Sequence, residues 1–236
     1  AVGGRVSMDL RLLLAGGGGA EDSRPLDALF AAWTGRGGRM LYVPVAMDER
    51  VRSYDSSYAW ISSVFEPLGV GEIELWTELP RGNDSGLARF DSVYIGGGNT
   101  YRLLHAMRSS GFAEVLARFA DRGGAVYGGS AGAAVLGRDI STVASMDANE
   151  VGLTDTRGLD LVGGYSAWCH YEPGHDPEIR CYVAGRGEPV LALPERAGVC
   201  VSGEGIRAVG YEPVAVFRPG EDGAEIIPPG ARVGGG

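Results

Sequence analysis

Ser130 stands in the run Tyr127-Gly128-Gly129-Ser130-Ala131-Gly132-Ala133, a serine among small residues directly after an apolar, strand-like segment. That spelling suits an exposed nucleophile. With residues 125–127 as a strand and residues 131–136 as a helix, Ser130 occupies a turn too tight for side chains at its neighbours. Its hydroxyl then points outward, and the helix N-terminus favours negative charge beside it. A Gly-x-Ser-x-Gly pattern is a weak signal in a chain with 40 glycines, so its weight depends on what can be brought next to it.

A serine hydroxyl is a poor nucleophile near neutral pH, and a neutral imidazole within hydrogen-bond reach is its usual activator. The chain holds three histidines. His105 falls one turn into a helical stretch, where a surface or packing role is expected. His175 follows Pro173-Gly174 in a polar loop, as a site residue or a solvated one. His170 ends the mixed run 165–169, and the pattern alone leaves the base open. A second glycine turn bears on the same serine. Residues 91–95 read as a buried strand that runs into Gly96-Gly97-Gly98-Asn99-Thr100, and helical spacing follows. In a parallel α/β sheet both turns open at the carboxyl ends of their strands, where ligands bind. Backbone N–H groups of the first turn then face the serine of the second, as an oxyanion hole requires. The N–H of Ala131, the residue after the serine, is the natural first donor.

The pairing of Gly96-Gly97-Gly98-Asn99-Thr100 with Gly128-Gly129-Ser130-Ala131-Gly132-Ala133, 35 residues inclusive from Gly96 to Ser130, resembles the peptidase E (aspartyl dipeptidase) family of serine peptidases, whose broader relatives include cyanophycinases. A weaker likeness runs from the first strand to about Gly203. The family's Asn-Pro-His-Phe is similar to Trp168-Cys169-His170-Tyr171, and its Leu-Pro-Glu to Leu193-Pro194-Glu195. The resemblance implies an α/β three-layer sandwich with a mostly parallel central sheet, class I glutamine amidotransferase-like (flavodoxin-like). It implies acyl transfer without a metal or organic cofactor. Ser130 would be the nucleophile, His170 the base and Glu195 the acid that orients it, with Gly98 beside Ala131 as oxyanion donors. A glutaminase of the related amidotransferase fold is disfavoured, since the elbow residue is serine and not cysteine.

The chain departs from the family at the acid. Members closest to the aspartyl dipeptidases carry Asp in a Thr-Thr-Asn-Asp-Met segment, where this chain reads Thr142-Val143-Ala144-Ser145-Met146. Asp147 is the alternative acid, because positions two apart in an extended segment share a face. Asn99, His175 and Arg180 are candidates for substrate contact. Arg180 lies five residues past Gly174-His175, the offset at which the aspartyl dipeptidases carry an arginine associated with an acidic substrate side chain. A guanidinium fork suits a carboxylate, although Arg180 could equally be a helix-surface residue. The expected activity is removal of a residue from a short peptide with a free N-terminus, with Asp as a candidate first residue. Hydrolysis of another amide or isopeptide-type metabolite, or a noncatalytic ligand-binding relative, are the alternatives.

The surrounding pattern supplies elements to position these residues. Apolar runs alternate with amphipathic segments, as in a parallel sheet covered on both faces. Strands are expected at 10–14, 40–44, 72–76, 91–95 and 125–127, and helices at 24–33, 54–68 and 101–120, the last broken at Gly111. Residues 16–19 are four consecutive glycines lacking the Lys-Ser/Thr of a P-loop and the full dinucleotide fingerprint, so a flexible turn beside the site is expected. Residues 139–164 read as loops and short strands. Late strands are expected at 189–193, 198–202 and 214–217, and a frayed tail at 228–236.

Composition fits one domain spanning residues 1–236. The 236 residues are 44% hydrophobic, enough for one sizeable core. A net charge of −9 and the lack of a basic stripe argue against a nucleic-acid partner. The apolar stretch 10–15 is too short for a membrane span or a signal segment. Three cysteines with no Cys-x-x-Cys pair fit a reducing compartment, and cytoplasm is the default. A monomer and a homodimer are both compatible with the chain.

Overall fold

A computed structural model describes residues 10–81 and 86–234. The chain lays down β1 (Arg11–Ala15), α1 (Arg24–Thr34), β2 (Arg39–Val43), α2 (Tyr54–Phe65), β3 (Glu72–Leu75), β4 (Ser92–Ile95), α3 (Thr100–Ser110), α4 (Phe112–Asp121), β5 (Ala125–Gly129) and α5 (Ala131–Leu136). There follow β6 (Ser166–Trp168), α6 (Asp176–Arg186), β7 (Val190–Ala192), β8 (Ala197–Ser202), β9 (Gly205–Gly210), β10 (Val214–Phe217) and β11 (Glu225–Ile227). The fold class is α/β with a mostly parallel central sheet between helical layers. Its strand order is β3-β2-β4-β5-β1-β8-β9. The pairs among β3, β2, β4, β5 and β1 are parallel, whereas β8 and β9 add antiparallel at one edge.

The parallel strands are continuous apolar runs because both of their faces are covered. Leu12, Leu14, Val93, Ile95 and Val126 face Leu103, Leu104, Met107 and Leu116 of α3 and α4 and Val135 of α5. Leu13, Tyr42, Tyr94 and Tyr127 face Leu26 and Phe30 of α1 and Ile61 and Phe65 of α2. Gly111 ends α3 with φ +80°, a left-handed geometry that an L side chain adopts at a cost.

The second half of the chain adds a second sheet and departs from expectation in two places. The run expected as a strand at 189–193 contributes β7 to a separate sheet, ordered β11-β10-β7-β6. In that sheet Trp168, Val190, Ala192 and Phe217 pack on Ile179 and Val183 of α6. Residues 139–164 contain a short 3-10 turn, Ile140–Val143, and otherwise irregular backbone. The buried Asp139 organises this stretch by accepting from the Ser141 N–H and hydroxyl and from Thr156. Residues 228–234 are not frayed. The N–H of Gly230 donates to Ala208, that of Ala208 to Ala231, and that of Val233 to Ile206, so the segment is tied along β9, an otherwise open sheet edge. Residues 235 and 236 lie outside the described residues.

Candidate active site

The loops after β1, β4 and β5 meet at the carboxyl ends of three adjacent parallel strands. Ser130 forms the turn from β5 into α5 with φ +50° and ψ −107°, a strained conformation that costs about 1–3 kcal/mol. The turn is held by the Ser130 N–H donating to Ala15 and the Ala134 N–H donating to Ser130, both at 3.0 Å. Close approach explains the glycines around it. A Cβ on Gly132 would lie 2.4 Å from the carbonyl oxygen of Ile95, and one on Gly128 would lie 2.5 Å from the backbone of Gly132.

His170 and Glu195 arrive from the smaller sheet. β6 and β7 pair in parallel with Trp168 opposite Ala192, so the residues just beyond each strand emerge at the same end. His170 has φ +51°, and its N–H donates to Gly16 at 2.8 Å, which moors it to the turn after β1. The Ser130 Oγ lies 2.8 Å from His170 Nε2, and His170 Nδ1 lies 3.0 Å from Glu195 Oε1. A carboxylate accepting from Nδ1–H leaves Nε2 free to accept the serine proton. The His170 and Glu195 side chains are 42% and 58% exposed, so their mutual attraction is screened by water and acts mainly on orientation.

The turn after β4 presents the expected N–H groups. Gly96 donates to Val43 and Asn99 donates to Ala46, while among the described residues the N–H groups of Gly97 and Gly98 between them donate to no backbone carbonyl. Gly98, Ser130 and Ala131 line one cavity of about 410 Å³ together with Val143, Met146, Asp147 and His170. A second cavity, of about 400 Å³, shares Ser130, His170 and Gly98 with the first. Its walls are Gly17, Tyr42, Met47, Arg52, Trp60 and Tyr94, among others.

The other candidates have different roles in the structure. Asp147 accepts from the Thr100 N–H at 2.7 Å and, among the described residues, makes no hydrogen bond or ion pair with His170. Asn99 caps α3, accepting from the Arg102 N–H at 2.9 Å, and its amide donates to Ala148 at 2.8 Å. Its side chain is therefore occupied in holding the 147–148 segment against the helix start. His175 accepts from the Glu172 N–H at 3.1 Å and lies 5.9 Å from the Trp168 ring, outside both cavities. Arg180 also lies outside them. It projects from α6 toward Asp176, 3.9 Å away, and over the Phe217 ring. The reason is local: the 3-10 turn Pro173–His175 leads straight into α6, and one helical turn later the side chain faces Phe217.

Sequence reasoning missed Arg52 and the aromatic wall. The usable signal was the loop after β2, which ends at the carboxyl edge of the same sheet. Cys169, next to His170, is buried, and its thiol approaches the Ser130 carbonyl at 3.3 Å. Burial, with the charge of Asp147 adding to it, pushes the thiol up to about 12, which keeps it protonated and unreactive.

The model of peptidase family S51 matches residues 12–209. The chain belongs to peptidase family S51. It is a serine-type peptidase with a flavodoxin-like fold. Among similar S51 relatives is peptidase E of Streptomyces coelicolor, 28% identical over 201 residues, covering 80% of this chain and 79% of that one. A probable alpha-aspartyl dipeptidase of Drosophila melanogaster is 27% identical over 197 residues, 80% of each chain. The crystal structure of a peptidase from an acI-B1 actinobacterium superposes with a TM-score of 0.71 at 16% identity, over 96% of this chain and 98% of that chain. Among the described residues no helix is long and apolar enough to cross a membrane.

Proposed function

We propose that this S51 peptidase removes a residue from short peptides with a free N-terminus through an acyl-enzyme on Ser130. The continuous contact from Ser130 through His170 to Glu195 is the observation that carries the proposal. Ser130 Oγ attacks the scissile carbonyl carbon as its proton passes to His170 Nε2. The N–H groups of Gly98 and Ala131 hold the oxyanion, and Glu195 keeps Nδ1 protonated and steadies the imidazolium. His170 then returns the proton to the leaving amine as the C–N bond breaks, and water, deprotonated by the same nitrogen, releases the acyl group. Glu195 is the orienting acid and not Asp147, whose Oδ2 accepts from the Thr100 N–H and which makes no hydrogen bond to His170 among the described residues. A preference for Asp exerted through Arg180 is not part of this mechanism, because that side chain lies against Asp176 and Phe217.

Three unpaired thiols, Cys169, Cys181 and Cys200, favour a reducing compartment, which we take to be the cytoplasm. The test is chromophore release from unblocked aminoacyl anilides of Asp, Glu, Ala, Leu and Arg by the wild type and by Ser130→Ala. Turnover that disappears in the variant is expected. Turnover that persists in Ser130→Ala would exclude the serine mechanism, and no release from any anilide would move the reading to another amide.

A further inference from the structure

The two cavities that meet at Ser130 differ in charge. The 410 Å³ cavity contains one carboxylate, Asp147, and no arginine. The Thr100 N–H takes Asp147 Oδ2, and Oδ1 has no protein donor among the described residues. The 400 Å³ cavity contains one arginine, Arg52. Arg52 makes no salt bridge among the described residues, and its guanidinium rests 5.7 Å from the Trp60 ring centre, which orients it while leaving its in-plane donors open. The loop that carries Arg52 is fixed relative to the nucleophile. Ala46 accepts from the Asn99 N–H at 2.8 Å, and Met47 accepts from Arg102 at 3.0 Å.

An extended dipeptide has complementary charges. Its ammonium and carboxylate sit about 6 Å apart, astride a single peptide bond. Gly98 lines both cavities, whereas Ala131 lines the Asp147 cavity and not the Arg52 one, so the acyl half of a substrate belongs beside Asp147, where both oxyanion donors are. The leaving half then extends into the Arg52 cavity, under His170. We infer that Asp147 binds the substrate's terminal ammonium and Arg52 its terminal carboxylate, which makes the site selective for zwitterionic dipeptides. This rests on the acyl-enzyme mechanism proposed above and adds to it the residues that read the two ends of the peptide.

Binding to Ser130→Ala protein, measured by calorimetry, tests the inference without turnover. Ala-Leu should bind about tenfold tighter than Ala-Leu amide and about tenfold tighter than acetyl-Ala-Leu, the scale of one charge-assisted contact. Adding Arg52→Met should abolish the first difference and keep the second. Adding Asp147→Asn, which retains an acceptor for the Thr100 N–H, should do the reverse. The inference is overturned if Ala-Leu binds no tighter than its amide or not at all, or if Arg52→Met leaves the discrimination intact. It is also overturned if Arg52 favours Asp-Leu amide over Ala-Leu amide while ignoring the terminus, because the arginine would then read a side chain. Failure of Ser130-dependent anilide release would instead count against the peptidase mechanism, so the two failures are separable.

Discussion

Gly17→Ala should cripple catalysis while leaving unchanged each of the three residues proposed to perform it. Gly17 has φ +137°, and a Cβ built there would lie 2.3 Å from His170 Cε1 and 2.6 Å from Nδ1. Ordinary van der Waals contact begins near 3.4 Å, so the imidazole must retreat by about 1 Å. The Ser130 Oγ to Nε2 distance, now 2.8 Å, would then approach 3.8 Å, beyond a working hydrogen bond. A misplacement of about 1 Å costs on the order of 10²-fold in rate, and it should fall on kcat more than on KM. The positive φ adds about 1–3 kcal/mol of backbone strain, which lowers the melting temperature without unfolding the protein. Gly19→Ala is the matched control, since its Cβ would meet nothing closer than Asp22 Oδ2 at 3.7 Å, and it should keep both rate and stability. The assay is kcat/KM on the anilide that the wild type cleaves best, alongside the rate of labelling by a fluorophosphonate and a thermal melt. A folded Gly17→Ala protein with kcat/KM within about threefold of wild type would refute the reasoning, because on this geometry His170 cannot stay in place.

Glu195→Ala should lower kcat about 10²-fold at nearly constant KM, less than for a buried triad acid because the pair is half-exposed; Asp147→Asn should leave kcat on the anilide far closer to wild type, and the opposite order would reassign the orienting acid. Gly132→Ala should destabilise the fold by about 1–3 kcal/mol or more, since the Cβ meets the rigid Ile95 carbonyl at 2.4 Å, and an unchanged melting temperature would contradict the packing described. Asp27 sits buried behind the aromatic wall, accepting from the Ser23 hydroxyl at 2.8 Å. Burial raises its pKa from 3.8 to about 6, against the lowering effect of the Ser23 hydroxyl. The folded state therefore binds this proton more tightly than the unfolded chain does, and the resulting stability is complete below pH about 4 and lost as pH rises through about 6. The shift corresponds to about 3 kcal/mol. Asp27→Asn should remove that slope in urea unfolding between pH 4 and 8 and be the more stable protein at pH 8. A slope retained in the variant would show that another group carries it.

Local pattern was enough to locate the elements of the first half and to offer Ser130 as a candidate nucleophile. Residues buried on both faces of a parallel strand must be apolar throughout, so β1, β2, β4 and β5 stand out as short hydrophobic runs. Gly128, Gly129 and Gly132 mark a close backbone approach because no other residue lacks a Cβ, and that singles out Ser130 as a candidate whose weight came from the second glycine turn at 96–98. The imidazole was different. His105 read as a surface or packing residue, the pattern left the base open between the others, and the likeness around Trp168-Cys169-His170-Tyr171 favoured His170.

What tertiary structure decided is direction and distance. Whether 190–192 joins the central sheet or a second one depends on pairing with β6 and β10, whose partners in register lie 24 residues before it and 23 to 27 residues after it, and an apolar strand carries no mark of its partner. The tail at 228–234 looks frayed by composition, yet it is tied down because β9 offers an open edge. Arg180 has the right residue type at the right offset, but a helix turns its side chain 100° per residue, so a short turn before α6 sends the guanidinium to Phe217. Arg52 has no motif around it and reaches the cavity because its loop leaves β2 at the edge where β4 and β5 also end. Residue type and spacing thus determined which groups could react, and the packing of two sheets against one another determined which of them meet.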